Sequence, residues 1–186
     1  MKKVTREEIV DFITYGDLRD DMRAKVLEIK RERRYHAGEH LTFLFENADT
    51  VLYQIQEMMR IENIVRESDI LHELETYNEV LGGPGELGCT LLIEIDDPAK
   101  RDVLLRRWIK MMEHIFVEVE GGQKVYCSFD HRQVGEERLS SVQYIKFDSG
   151  GRVPLAVGCD LESCDVKVLL TEQERGALGH DLASDT

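Results

Sequence analysis

The amino-acid sequence predicts an α+β fold in which amphipathic helices pack on a largely antiparallel sheet of about five to seven strands. Two observations support this class. In the first half of the chain, apolar residues recur every three or four positions, which is the period of amphipathic helices. After His114 the apolar residues alternate with a period of two, and the pairs Gly121–Gly122 and Gly150–Gly151 mark the turns of predicted hairpins.

Two amphipathic helices are predicted before the first strand. Thr5 and Glu8 form a capping box for a short helix that ends near Tyr15–Gly16. A second helix is predicted from about residue 20 to residue 36, with Gly38 just beyond its end. Both helices are expected to cover the sheet.

The next segment predicts a strand that runs directly into a helix. Residues 40–46, HLTFLFE, carry apolar side chains on both faces, which indicates a strand covered on both sides or central in the sheet. The helix that follows begins after Asn47, a favourable N-cap, and its apolar stripe starts at Val51. A further helix is predicted from Ser68–Asp69, and the glycines of residues 82–88 end it.

The remaining chain is predicted to alternate between strands, one helix and hairpins. Residues 89–95 predict a strand, and Asp97–Pro98 open a helix. One predicted hairpin joins IFVEVE to QKVYCSF, a second joins SVQYIKF to VPLAVGC, and VKVLL adds a last strand before a short helix capped by Thr171. We expect one domain over residues 1–178 and a frayed tail over residues 179–186.

Composition limits the classes of partner. The chain has 186 residues and a formal net charge of −13, which argues against nucleic acid as a partner. No apolar run is long enough to cross a bilayer and the first residues lack the apolar core of a signal peptide, so we expect a cytoplasmic protein without a membrane anchor. The four cysteines, Cys89, Cys127, Cys159 and Cys164, lack the C-x2-C spacing of zinc sites and are expected to be reduced thiols.

The helix after Asn47 carries an unusual polar face. At about 100° per residue, Tyr53, Gln56, Glu57 and Arg60 lie together opposite the apolar stripe. One interpretation is a solvated face with weak helix-stabilising pairs. However, amides and a phenol are unusual on a solvated face, which Glu and Lys would normally fill. The alternative is a face covered by another element or by a partner, with Arg60 receiving a carboxylate or another anion.

The segment FENADTVLYQIQEMMR, residues 45–60, resembles the signature segment of an uncharacterised bacterial family, domain of unknown function family 3501. The likeness extends through the YNEVLG turn, the LLIEI strand and the SSVQYIKF strand. Genes of that family often lie beside rubrerythrin and an iron–sulfur oxidoreductase, so the resemblance implies a part in iron-dependent redox or peroxide defence, without naming an activity or a cofactor. The predicted partner- or ligand-binding residues are therefore Glu46, Asn47, Tyr53, Gln56, Glu57 and Arg60.

Three other segments could carry chemistry. Residues 30–40 are rich in Lys, Arg and His, either as cations at a helix C-terminus or as a site for phosphate. Asp69, His72 and Glu75 share one helix face, but one such motif falls short of a ferritin-like di-iron site, so no metal site is predicted. The charged loop of residues 130–140 is longer than most connections, and loops of that length often carry function.

These observations predict an accessory or partner-binding cytoplasmic protein, with a redox protein of rubrerythrin type or a second copy of itself as partner. The alternative is a metal- or ligand-binding enzyme in the same redox setting, with a cleft between the polar helix and the loop of residues 130–140. A binder should have a flat polar surface, whereas an enzyme should have a concave pocket with convergent titratable groups. The sequence identifies no catalytic residue and no cofactor.

Overall fold

The computed structural model describes residues 2–184, the side chain of Gln133 excepted. Over these residues the chain forms five α-helices and nine strands in two antiparallel sheets, which confirms the α+β class. The helices are α1 Phe12–Arg31, α2 Ala48–Glu62, α3 Glu67–Asn78, α4 Pro98–Arg107 and α5 Glu172–Ala183. The strands are β1 Arg34–Ala37, β2 Leu41–Phe45, β3 Glu86–Ile93, β4 Ile115–Val119, β5 Gln123–Tyr126, β6 Ser128–Phe129, β7 Val142–Asp148, β8 Ala156–Leu161 and β9 Cys164–Leu169.

The strands divide between a larger and a smaller sheet rather than forming one. The larger sheet has the order β1-β2-β3-β7-β6, and the smaller sheet has the order β5-β4-β8-β9. Strand β2 lies between β1 and β3 and all of its residues are buried, as its apolar pattern predicts. One hydrophobic cluster contains Phe43 of the larger sheet, Val117 and Val157 of the smaller sheet and Ile55 of α2. The two sheets therefore share a core.

The larger sheet has two different faces. Tyr35, Phe43 and Leu91 follow one another across β1, β2 and β3 on the face that belongs to the core. On the opposite face, Leu44 pairs with Thr90, which pairs in turn with Tyr144 of β7. Because side chains alternate between the faces of a sheet, the sequence pattern of each strand sets which residues face the core and which face away from it.

Helix α1 is continuous where the sequence predicts two helices. The predicted break at Tyr15–Gly16 is wrong, because α1 starts after the N-cap Asp11 and runs to Arg31. The predicted capping box of Thr5 and Glu8 exists, but it surrounds a single 3-10 turn. An internal glycine costs a helix only about 1 kcal/mol, which the burial of Tyr15 in the same turn offsets. The residues after Arg31 form β1 instead of extending the helix to residue 36.

The second predicted hairpin is also wrong. Strands β7 and β8 flank Gly150–Gly151, but β7 pairs with β3 and β6 in the larger sheet, whereas β8 pairs with β4 and β9 in the smaller sheet. The glycine turn instead contacts the chain before β3, where Gly151 N–H donates to the carbonyl of Gly85 at 3.1 Å. Leu155 N–H then donates to the carbonyl of Glu118 at 2.7 Å. These long-range hydrogen bonds direct the chain from one sheet to the other.

Ordered helix extends closer to the C-terminus than the sequence predicts. Residues 179–183, which we expected to fray, continue α5, and residues 185–186 lie outside the described part of the chain. Leu178, Asp181 and Leu182 of this helix are buried. Within residues 2–184 no helix combines the length and apolar composition that a membrane span requires.

Candidate functional site

The predicted polar face of α2 is covered by α1 at Glu57. The Glu57 carboxylate accepts hydrogen bonds from Tyr15 Oη at 2.7 Å and from Arg19 Nε at 2.7 Å and Nη2 at 3.1 Å. Arg60 Nε and Nη2 donate to the same carboxylate over longer distances, both 3.3 Å. The Arg19 hydrogen bond, together with those of Tyr15 and Arg60, lowers the pKa of Glu57 to about 2. This charged cluster joins α1 to α2.

Gln56 is bound within the chain in the same way. Its side chain is 1% exposed. Its Oε1 accepts from Val10 N–H at 2.8 Å, and its Nε2 donates to the Val10 carbonyl at 3.3 Å. The Gln56 amide therefore pairs with the backbone N–H and carbonyl of Val10, just before α1. Within the predicted four-residue face, the Arg60 side chain is still about a third exposed. Contacts within the chain account for Gln56 and Glu57.

The charge of Glu57 makes stability depend on pH. Its pKa of about 2 in the folded protein lies below the ordinary 4.5, so its contribution is present above about pH 4.5 and is lost as the pH falls towards 2. We expect Glu57→Gln to lower the free energy of unfolding by about 1–2 kcal/mol at pH 7, a value discounted for the partial exposure of its arginine partners, and by much less near pH 2. Urea unfolding at both pH values measures this, with the exposed Glu75→Gln as control. Equal losses at both pH values would contradict it.

Asn47 has a structural contact at the start of α2. Its side chain caps the helix by accepting from Thr50 N–H at 3.0 Å, as the sequence predicts. Its amide also lies 3.4 Å from Asp181 Oδ1 of α5. Asp181 forms a buried bidentate ion pair with Arg33, whose Nε and Nη2 donate to the carboxylate at 2.7 and 2.9 Å. This end of α2 is therefore anchored to α5.

Glu46 lies apart from the Glu57 cluster, whereas Tyr53 lies beside it, close enough to act on the charges of Tyr15 and Arg19. Glu46 is buried at the junction of β2 and α2, where its carboxylate accepts from Thr50 Oγ1 at 2.5 Å and from Thr90 Oγ1 at 2.7 Å. The Lys30 ammonium stands 5.8 Å from the centre of the Tyr53 ring. The six predicted residues therefore fall into two groups: Tyr53, Gln56, Glu57 and Arg60 lie along the contact with α1. Glu46 and Asn47 lie at the start of α2, where the Thr50 hydroxyl joins them.

A groove lies over the outer face of the larger sheet, beside Glu46. A cavity of about 240 Å³ is floored by Leu44, Thr90 and Tyr144, with Leu92 and Val142 beside them. Its walls come from three helices and the chain that leaves α3, through Lys30, Val51, Gln54, Tyr77 and Val80.

A larger cavity of about 620 Å³ adjoins the first, between α3 and the strands β6 and β7. The two cavities share Tyr77, Val80 and Tyr144, and we refer to them together as the sheet groove. Burial raises the pKa of both tyrosine hydroxyls, so the phenols are neutral hydrogen-bonding groups at physiological pH. The sheet groove thus combines two aromatic rings with a floor of mixed character, in which Leu44 lies beside the hydroxyl-bearing Thr90.

The sheet groove carries charges of both signs, and Lys30 is its half-buried cation. The other charged residues of its lining are Glu46, Glu73, Glu79, Asp130 and Lys146. Desolvation lowers the pKa of its ammonium, while the negative charge of Glu46 acts in the opposite direction. Although Glu46 is close enough to act on it, the ammonium forms neither an ion pair nor a hydrogen bond with any group between residues 2 and 184. A half-buried cation without a counter-charge in direct contact is costly, and such groups are concentrated at binding and catalytic sites.

The loop of residues 130–140 does not form the predicted cleft with α2. Of the loop side chains that the structure describes, Asp130 is the one that lines the sheet groove. The later part of the loop contacts α4: Arg138 Nη1 donates to Asp102 at 3.0 Å, and Arg106 Nη1 donates to Glu137 at 3.1 Å. In the larger cavity, the wall opposite β6 and β7 comes from α3.

The other sequence candidates are dispersed. Asp69, His72 and Glu75 are exposed on α3, and no group of three His, Cys, Asp or Glu side chains within the described chain is arranged to hold a metal ion. Residues 30–40 do not form one basic surface, because Lys30 lines the sheet groove and Arg33 is buried against Asp181. The structure therefore separates cations that the sequence groups together.

Sequence reasoning missed Tyr77, Thr90 and Tyr144 as members of a site. A partial signal was present at Thr90, a polar residue inside the apolar run of CTLLIEI, whereas Tyr144 does not stand out among the Ser, Gln and Lys of SVQYIKF. The incorrect pairing of β7 with β8 concealed that these two residues are neighbours across β3 and β7.

The chain is similar to one protein family and to a solved structure. The family model described as "Protein of unknown function (DUF3501)" matches residues 3–182, which confirms the resemblance predicted from residues 45–60. The crystal structure of a novel protein of unknown function from Burkholderia pseudomallei K96243 is 27% identical in sequence with a TM-score of 0.88, and the match covers 97% of this chain and 100% of that chain. No curated protein matches.

Proposed function

Because the chain belongs to the DUF3501 family, whose function is unknown, we propose a function from the geometry of the sheet groove: this cytoplasmic protein binds a small anionic molecule with an aromatic or apolar body. The observation that carries the proposal is the half-buried ammonium of Lys30 inside a concave site, which faces the Tyr53 ring but has no ion pair or hydrogen bond among residues 2–184. Concave pockets with a few convergent polar groups are the usual form of small-molecule sites.

The chemistry of the ligand follows from the lining. An anionic group placed against Lys30 would form a charge-assisted hydrogen bond that no group within residues 2–184 supplies. An aromatic body would lie against Tyr77 and Tyr144, with Leu92 and Val142 below it. Glu46 stays ordered by its two threonine donors, so it is positioned to accept a hydrogen bond from a hydroxyl or amino group of the same ligand.

We expect Lys30→Met to weaken the binding of aromatic carboxylates about ten- to a hundredfold, which corresponds to the loss of one charged hydrogen bond. Isothermal titration with benzoate and phenylacetate measures this, after a thermal-shift screen. Lys25→Met is the matched control, because Lys25 lies on the same helix but is exposed and paired with Asp49. Wild-type affinity should also fall as the pH rises through the lowered pKa of Lys30.

The neutral amides benzamide and phenylacetamide separate charge from shape in the same titration. If they bind as tightly as the carboxylates, or if Lys30→Met and Lys25→Met behave alike, the assignment of an anion to Lys30 is wrong. Equal loss for both ligand classes in Tyr144→Ala would support the aromatic contact independently of the charge.

A second candidate function is binding of a protein partner beside Arg60. Ile13 is 77% exposed and Ile61 60% exposed, and both lie at the end where α1 and α2 join through Gln56 and Glu57. Apolar side chains around a partly exposed arginine are typical of protein interfaces. We propose a redox protein of rubrerythrin type as this partner, in iron-dependent redox or peroxide defence, with a second copy of the chain as the competing occupant.

We expect Arg60→Ala combined with Ile61→Asp to reduce binding to a purified rubrerythrin at least about tenfold, because the pair removes a charge and an apolar anchor. Biolayer interferometry measures the affinity, and size-exclusion chromatography with light scattering tests for self-association. The control is Arg31→Ala on the remote end of α1, whose side chain is exposed. Binding that is unaffected by the double substitution would contradict the placement of the partner.

A further inference from the structure

Two of the four cysteines are brought together by the β8–β9 hairpin. The register pairs Leu161 with Cys164 and Cys159 with Val166 across a two-residue turn. Directly paired residues share a sheet face and alternate residues return to it, so Cys159 and Cys164 lie on the same face as diagonal neighbours. Their thiols are within hydrogen-bonding reach of each other.

The two thiols differ in access and in acidity. Cys159 is fully buried, whereas Cys164 is partly exposed at the end of the hairpin. The hydrogen bond with Cys159 lowers the pKa of the Cys164 thiol, and the same contact together with burial raises the pKa of the Cys159 thiol. The accessible thiol is thus the more readily ionised one, which is the arrangement of an attacking thiol beside a resolving thiol.

The remaining cysteines provide an internal contrast. Cys89 is fully buried and burial raises its pKa. Burial also raises the pKa of Cys127 to about 12, and its thiol donates to the carbonyl of Met112 at 3.1 Å. Cys127 is close enough to Cys89 to raise its pKa, but neither thiol is hydrogen-bonded to another cysteine among residues 2–184, and both belong to the core.

We propose that Cys164 and Cys159 form a redox-active thiol pair that closes to a disulfide by reaction with a low-molecular-weight disulfide. The Cys164 thiolate attacks one sulfur of the oxidant and releases one equivalent of the small thiol, which leaves a mixed disulfide on Cys164. Cys159 then loses its proton and attacks Cys164 Sγ, which releases the second small thiol. Two electrons and two protons pass from the protein to the oxidant, and one sulfur–sulfur bond replaces another.

The site is separate from the sheet groove. Both thiols belong to the smaller sheet, whereas the residues that line the sheet groove belong to the larger sheet and to the helices beside it. Oxidation is therefore expected to leave the binding of benzoate at Lys30 unchanged, so the two proposals succeed or fail independently.

The test uses the full-length protein, reduced, desalted and then exposed to oxidised glutathione near neutral pH. Trypsin cleaves after Arg152 and Lys167, so a single peptide, residues 153–167, contains both Cys159 and Cys164 and neither of the other cysteines. We expect this peptide to lose two hydrogen atoms in mass, at least about ten times faster than Cys127 is modified, because the thiolate is the reactive species.

Two variants assign the roles of the thiols. Cys159→Ser is expected to hold the mixed disulfide with glutathione on Cys164, whereas Cys164→Ser is expected to leave Cys159 reduced. Cys89→Ser with Cys127→Ser is the matched control and should close as the wild type does. The proposal is overturned if residues 153–167 keep two free thiols in the folded protein, if closure requires denaturant, or if Cys159→Ser accumulates no mixed disulfide. Circular dichroism on each variant confirms that the proteins compared are folded.

Discussion

Replacing Asp181 by Leu is expected to lower the free energy of unfolding by about 3–5 kcal/mol, because it leaves the Arg33 guanidinium buried without its counter-charge. The side chains of Arg33 and Asp181 are only 8% and 4% exposed, and their two hydrogen bonds are 2.7 and 2.9 Å long. The substitution also removes the acceptor of the Asn47 amide. The substitution therefore removes the contacts that join α5 to Arg33, just before β1, and to Asn47 at the start of α2.

Urea unfolding of the purified variants measures this effect. Glu28→Gln is the control, because Glu28 pairs with Arg31 on the surface, where removal of one partner costs at most about 0.5–1 kcal/mol. The double variant Arg33→Met with Asp181→Leu should be more stable than Asp181→Leu alone, since no unpaired charge remains. An Asp181→Leu loss no larger than that of Glu28→Gln would show that the buried pair is dispensable.

The second large effect is expected at Gly88, inside β3. A Cβ at this position would overlap the carbonyl oxygen of Val80 and crowd the amide of Gly82. The obstacle is main chain, which cannot move aside as the end of a flexible side chain can. We expect Gly88→Ala to cost about 3 kcal/mol or more in the free energy of unfolding, at the upper end of the cost of overpacking a core.

Gly16→Ala is the matched substitution, because a Cβ at Gly16 has no atom within 4 Å and the residue lies inside α1. There the added methyl group should stabilise the protein by about 0.5–1 kcal/mol through helix propensity. Thermal and urea unfolding of both variants measures the change in the free energy of unfolding, which is expected to be a loss for Gly88→Ala and a gain for Gly16→Ala. If both glycines tolerate alanine equally, the backbone of β3 at Gly88 is not in close contact with the carbonyl of Val80.

The parts of the fold that the sequence predicts are those set by local chemistry. Asn47 caps α2 because its side chain and Thr50 lie within one helical turn, and the alternation of apolar residues places the hairpin of β4 and β5 correctly. The predictions at Gly16 and at Gly150–Gly151 fail because each glycine is a local signal that packing elsewhere overrides. Tertiary contacts decide between conformations that differ locally by about 1 kcal/mol.

The candidate site was predictable only in part. The composition of the α2 face indicates contact, and Gln56 and Glu57 do make contacts, but the pattern cannot distinguish a neighbouring helix from a separate molecule. The sheet groove depends on Thr90 and Tyr144 being cross-strand partners although many residues separate them in the chain. Non-local pairing of this kind leaves no periodic signal in either strand.

The strand segment of residues 123–129 has a consequence for cooperativity. Its first part, β5, hydrogen-bonds to β4 of the smaller sheet, and its second part, β6, hydrogen-bonds to β7 of the larger sheet. Between them, Cys127 N–H donates to the carbonyl of Ile115 at 2.9 Å. Because one uninterrupted backbone forms an edge of both sheets, displacing it breaks main-chain hydrogen bonds on either side of the core. The segment of residues 123–129 therefore favours cooperative unfolding of both sheets together over the separate unfolding of one sheet.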